Sequence, residues 1–252
     1  MRGYFVSVRL LTLDGSRKMP TKTKMSSDER RRSIIAAAKP LFAEKGFKAT
    51  SVRHIAKAAN VSEALLYRHF PSKVELYKVI LNYVGDISTE AVNEMKNREP
   101  GAETLIHLIY LLYFTILFEV SGKGDEQKIH ERLLFYSLLE DGSYARLVFK
   151  KIFTSLQEII EKNYTAGVQQ GEIARASGSL EKRFWFAHHL AMGLNLCHLA
   201  GKPAFHYEGT KRDMVADAVN FALRGIGITD KVITKYSKSD KLKIALSKIM
   251  KE

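Results

Sequence analysis

One cysteine, five prolines and one tryptophan in 252 residues exclude several classes of protein before any motif is sought. A single thiol, Cys197, closes no intramolecular disulfide and completes no C-x2-C zinc knuckle; it reads as a small buried hydrophobe in a reducing compartment. The scarcity of proline and of turn clusters leaves long segments of 3.6-residue period uninterrupted, which predicts an all-α chain. Long hydrophobic runs are also missing. The longest, residues 108–118 (LIYLLYFTILF), is about half of the roughly 20 residues that a membrane span requires, so it reads as a buried core helix and no membrane is expected. The apolar start of the chain is broken by Arg9 and lacks a small-residue cleavage site, so no export signal is read and the expected location is the cytoplasm. No phosphate-cradling glycine loop, nucleophile elbow or carboxylate pair is found, so neither an enzyme nor a cofactor is expected. His188, His189, His198 and His206 lie near Cys197 but match no zinc spacing, and no metal site is expected.

The chain does have charge, placed unevenly. Residues 1–25 carry six Lys/Arg against one Asp, residues 26–85 eleven against five, and residues 226–252 seven against three, while residues 86–225 carry sixteen against eighteen acidic groups. The net charge of +13 therefore sits at the two ends. A basic segment that coincides with a DNA-reading motif is the electrostatic footprint of a protein that neutralises phosphates.

Such a motif lies in residues 50–70, TSVRHIAKAANVSEALLYRHF. Val52, Ile55, Ala56 and Ala59 form the apolar face of one short helix, and Leu65, Leu66 and Phe70, with the Tyr67 ring, supply a second set. Between them Asn60 tolerates the left-handed conformation that ends a helix, and Ser62 can cap the next. Upstream, an amphipathic helix at 28–45 starts at a Ser26/Glu29 capping box and stops at Gly46; Pro40 within it is expected to bend the axis. Downstream, Ser72 and Glu75 form a second capping box. The block from the Glu44-Lys45-Gly46-Phe47 corner through Leu66-Tyr67-Arg68-His69-Phe70 to Ser72-Lys73 resembles the N-terminal DNA-binding domain of the TetR (tetracycline-repressor) family.

That resemblance implies a three-helix helix-turn-helix domain at 26–72 and a larger helical ligand-binding and dimerisation domain at 73–226; residues 1–25, which lack helical period and end in a polar basic tract, are expected to form a disordered arm, and residues 227–252 a basic tail. It places Glu63, Ala64 and Leu65 against base edges, where a carboxylate accepts from cytosine and an apolar side chain touches a thymine methyl. Thr50, Ser51, Arg53, Ser62, Tyr67, His69 and Lys73 fall where phosphate contacts set register. For the body it implies a ligand cavity, here lined by apolar groups with a few polar points: His107, Tyr110, Tyr113, Phe114, Phe135, Phe153, Trp185, His189 and Met192. Helices at 180–200 and 211–224 occupy the places of dimerising helices, with Leu190, Leu194, Leu196, Val215, Val219 and Leu223 as the expected interface. The partners implied are double-stranded operator DNA, a hydrophobic or aromatic effector and a second copy of the chain. Two rival readings stay open: a DNA-binding activator or architectural protein without induction, and a helical enzyme or metal protein whose helix-turn-helix is incidental.

Overall fold

The computed structural model describes residues 25–82, 89–118, 124–175, 177–199 and 204–249; the expected arm at 1–25 lies almost wholly outside them. Among the described residues there are twelve α-helices. The head holds α1 (Ser27–Ala49), α2 (Val52–Ala58) and α3 (Glu63–His69), and α4 (Lys73–Asn82) and α5 (Thr89–Lys96) lead away from it. The body holds α6 (Ala102–Leu117), α7 (Gly124–Leu139), α8 (Ser143–Gln169), α9 (Leu180–His198) and α10 (Lys211–Ile226), followed by α11 (Asp230–Ser237) and α12 (Asp240–Ile249).

Local chemistry sets the head's boundaries. Ser26 Oγ accepts from Glu29 N at 3.2 Å while the Glu29 carboxylate accepts from Ser26 N at 2.7 Å, and these bonds hold Glu29 below its ordinary pKa. The non-helical residue in α1 is Gly46, with φ +74, rather than Pro40. A side chain at Gly46 would be strained by that φ and would meet the Tyr136 ring at 3.1 Å. Asn60 carries the one positive φ among the described non-glycine residues, +52, and this ends α2. Ser51 and Ser62 then cap α2 and α3 by accepting from His54 N and Leu65 N. Ile34, Phe42, Ile55, Leu66, Phe70, Leu76 and Ile80 close the head's core, each burying about 1.5–3 kcal/mol of apolar side chain.

The body is built around α6, whose side chains are buried along most of its length against α8, α9, α10, α11 and α12. This explains why its sequence is apolar on every side. The antiparallel pair α9 and α10 is tied by Arg183, which donates to Ile226 O at 2.6 Å. Asn163 on α8 accepts from Gly101 N at 3.0 Å, and so supplies the first turn of α6 with a partner for a helix-start donor.

Head and body share one core. Leu133 and Leu134 of α7, Tyr144 and Ala145 of α8, and Met192 of α9 belong to the same apolar cluster as the head residues. Tyr136 donates to Glu44 O at 2.9 Å and Lys39 pairs with Glu126 at 3.2 Å across the seam.

The basic tail is anchored at the opposite end. Ile233 and Leu242 enter the body core, Lys241 pairs with Glu103, and His107 bridges Arg98 at 2.7 Å and Ser239 at 3.0 Å. Because Arg98 can only donate, His107 Nδ1 accepts and Nε2–H faces Ser239; burial first, then the Arg98 charge, lowers its pKa. Helix α8 runs from Tyr144, in the head cluster, to Asn163 on Gly101, roughly 28 Å at the helical rise. The described tail lysines from Lys231 to Lys243 are therefore remote from the recognition helix. Among the described residues no helix is long and apolar enough to cross a membrane.

Candidate nucleic-acid interface

Helix α3 is seven residues long, just enough to present one outward stripe. Leu66 and Phe70 face the core while Glu63, Ala64, Tyr67 and Arg68 are exposed, Tyr67 by 47%. Arg31 of α1 fixes its far end, donating to His69 O at 2.9 Å and lying 4.4 Å over the Phe70 ring. Leu65 and His69 are half-buried. Leu65 thus offers only part of its surface to a base edge.

On the preceding corner, Ser51 and Arg53 are exposed. The Ser51 and Ser62 hydroxyl oxygens accept cap bonds, which leaves each O–H able to donate to a phosphate. Thr50 corrects the sequence expectation. It is fully buried, and its hydroxyl lies against Gly46 O at 2.8 Å and Leu41 O at 3.1 Å. A side chain closed over its own corner cannot reach DNA, so Thr50 is a brace for the α1–α2 junction. Lys73 is partly diverted in the same way. It donates to Phe47 O at 2.8 Å and Thr50 O at 2.9 Å and sits 4.2 Å over the Phe47 ring, so it orients α4 on the corner with one N–H left over. Arg68 was not among the expected contacts but is exposed beside Tyr67, four residues after Ala64 on the same outer stripe.

Among the described residues, the side chains expected to line an effector cavity are mostly packed against one another or against other parts of the chain. Tyr113 is fully buried with its O–H donating to Ala187 O at 2.7 Å, and Tyr110 reaches Asn220 at 3.4 Å. Phe114 stacks on Phe118 at 5.0 Å, and His107 is held by Arg98 and Ser239. Met192 and Phe135 pack against the head cluster. Two body clefts hold only about 30 and 20 Å³, the second between α8 and α9 beside Phe153; such spaces take about one water each. Trp185 and His189 lie in an aromatic group near this second cleft.

The dimer expectation is corrected face by face. Val215, Val219 and Leu223 are fully buried within the chain and Leu194 nearly so, so none is available to a partner, while Leu190 is half-buried. The outward face of the same two helices carries Phe186, Leu196 and Phe221, which are 68%, 52% and 70% exposed, with open space over Gly193 and Gly225.

Residues 34–80 match the family described as "Bacterial regulatory proteins, tetR family". The chain is 28% identical over 141 residues to the nucleoid occlusion factor SlmA of Haemophilus ducreyi, covering 56% of this chain and 65% of that protein. It is 42% identical over 69 residues to an HTH-type transcriptional repressor of Mycobacterium tuberculosis, covering 27% of this chain and 35% of that one. The chain thus spans less than two thirds of the length of either curated relative. Among solved structures it is similar in fold to NalD of Pseudomonas aeruginosa, described as the secondary repressor of the MexAB-OprM multidrug efflux pump. That likeness has a TM-score of 0.53 at 23% identity and covers 81% of this chain and 98% of NalD.

Proposed function

We propose, from the premise that this chain is a DNA-binding regulator of the TetR family, that it acts as a cytoplasmic homodimeric repressor released from its operator by a small apolar or aromatic effector. The observation that carries the reading is the outward stripe of α3 on a head whose core continues into the body. Glu63, Ala64 and part of Leu65 read base edges, while Ser51, Arg53, Ser62, Tyr67, Arg68 and His69 hold phosphates. A single seven-residue helix makes few contacts. Two copies joined through Phe186, Leu196 and Phe221 set two recognition helices about one helical turn of DNA apart.

Repression is supported by the relative of Mycobacterium tuberculosis that is named as a repressor. Induction follows from the shared core. An effector that shifts α8 or α9 moves Tyr144, Ala145 and Met192 and, through them, the residues that seat α1. A coupling of about 1–3 kcal/mol lowers operator affinity roughly 5- to 150-fold. The packed interior favours a second reading, DNA binding without induction, in which no small molecule changes affinity. Selection of binding sites from random DNA by the dimer tests the proposal: a palindrome with half-sites one turn apart is expected, and enrichment of a single asymmetric site or of nothing overturns it.

A further inference from the structure

Among the described residues, three side chains carry a buried polar atom without a hydrogen-bond partner, and His188 Nδ1 is one of them. His188 is 1% exposed, so water does not meet that need. Its surroundings are aromatic: Phe149 at 5.4 Å and Trp185 at 5.4 Å, both edge-on, with Phe153 stacked on Trp185 at 5.8 Å and 25°. Burial first, and the neighbouring His189 second, hold the imidazole neutral with a pKa lowered to about 4. Phe153 also borders the α8–α9 cleft, with Ile160, Leu180 and Phe184 as its apolar wall. One buried, neutral, unsatisfied nitrogen thus ends an aromatic box whose outer ring faces a cleft.

We propose that this box is the effector site and that it takes a neutral, flat aromatic molecule with a single hydroxyl, a phenol, whose ring enters between Phe153 and Trp185 and whose O–H pairs with His188 Nδ1. The inference rests on the regulator reading for its biological role but not for its chemistry. Phe153 and Trp185 are in stacking contact, with centres 5.8 Å apart and planes 25° from parallel, so an entering ring has to part them by one aromatic contact distance, about 3.5–4 Å. The polarity follows from the box. Glu161 and Glu181 border the cleft and disfavour an anion, and an unsubstituted arene would leave Nδ1 unpaired. A hydroxyl both donates and accepts, so it satisfies either tautomer of His188. The site is placed to act on the head, because Met192, one turn further along α9, lies in the head's cluster with Leu134 and Tyr144.

Trp185 is the only tryptophan, so its emission reports on the box alone. Titration of the full-length protein, without DNA, with p-cresol and with toluene compares two probes that differ by one hydroxyl. p-Cresol is expected to shift the emission and to bind roughly 5- to 10-fold more tightly than toluene, the worth of one hydrogen bond to a buried neutral group. In His188→Phe the two probes should bind alike. If that variant does not fold, nitrogen NMR of the wild-type imidazole serves, with the His188 resonances moving for p-cresol and not for toluene. An unchanged emission, equal affinities, or a cresol preference that survives in His188→Phe overturns the site. Binding of p-cresol that leaves the operator complex intact upholds the site and overturns induction, so the two failures are distinguishable.

Discussion

Replacing Phe221 by Ala tests the reassigned dimer face most sharply. Phe221 and Phe186 are 70% and 68% exposed in the single chain, so each shows about 140 Å² of a side chain that offers roughly 200 Å² in all. At an isologous twofold contact both occur twice. Together they bring roughly 550 Å² of apolar surface, or about 14 kcal/mol at 25 cal/mol/Å², against an association cost of about 4–15 kcal/mol. Losing both copies of Phe221 removes about 3–6 kcal/mol, which raises the dimer dissociation constant roughly 100-fold or more. Sedimentation over a concentration series measures it, with circular dichroism to show that the monomer keeps its fold, as an exposed side chain predicts. Val219→Ala is the control. Val219 is fully buried inside the chain, so its loss should lower thermal stability and leave the dimer constant nearly unchanged. A Phe221→Ala protein that dimerises like the parent, or a Val219→Ala protein that is stable but monomeric, would refute the assignment.

Three further outcomes follow from named contacts. Thr50→Val leaves the carbonyls of Gly46 and Leu41 without their buried donor and should cost about 1–3 kcal/mol in urea unfolding; unchanged stability with weakened DNA binding would restore the phosphate role. Tyr67→Phe removes an exposed donor and should weaken binding to every DNA sequence alike by roughly 2- to 10-fold, so a changed base preference would contradict it. For His188 the folded pKa of about 4 lies below the ordinary 6.5, so between these values the unfolded chain binds a proton that the folded one does not. Stability is therefore full above pH 6.5, falls by about 2 kcal/mol by pH 5, and levels off below pH 4 after a loss of about 3 kcal/mol. Buried His107 and half-buried His130 are shifted in the same direction. The urea midpoint of His188→Phe should thus drop less steeply with acid than that of the parent, and an identical slope would sink the assignment.

What the sequence made legible was decided within a few residues. Ser26 with Glu29, Asn60, and the caps at Ser51, Ser62 and Ser72 each act on backbone groups at most four positions away, and so the helix boundaries could be read from spacing. What stayed hidden depends on partners far along the chain. Helix α10 is apolar on two faces, and nothing in its period says that Val215, Val219 and Leu223 turn inward while Phe221 stays out. Thr50 looked available because its acceptors appear only when α1 bends at Gly46. The anchoring of the tail rests on His107 and Ser239, 132 positions apart, and aromatic side chains at helical spacing look alike whether they line a cavity or fill one.

The most direct test of the central claim is binding of the purified dimer to the DNA flanking its own gene, followed by fluorescence anisotropy at two salt concentrations with unrelated DNA as competitor. The account predicts tight, sequence-selective binding that weakens steeply as salt rises, because α3 and its flanking cations exchange counterions for phosphate contacts. Binding that is equally weak for every sequence, or indifferent to salt, would contradict it.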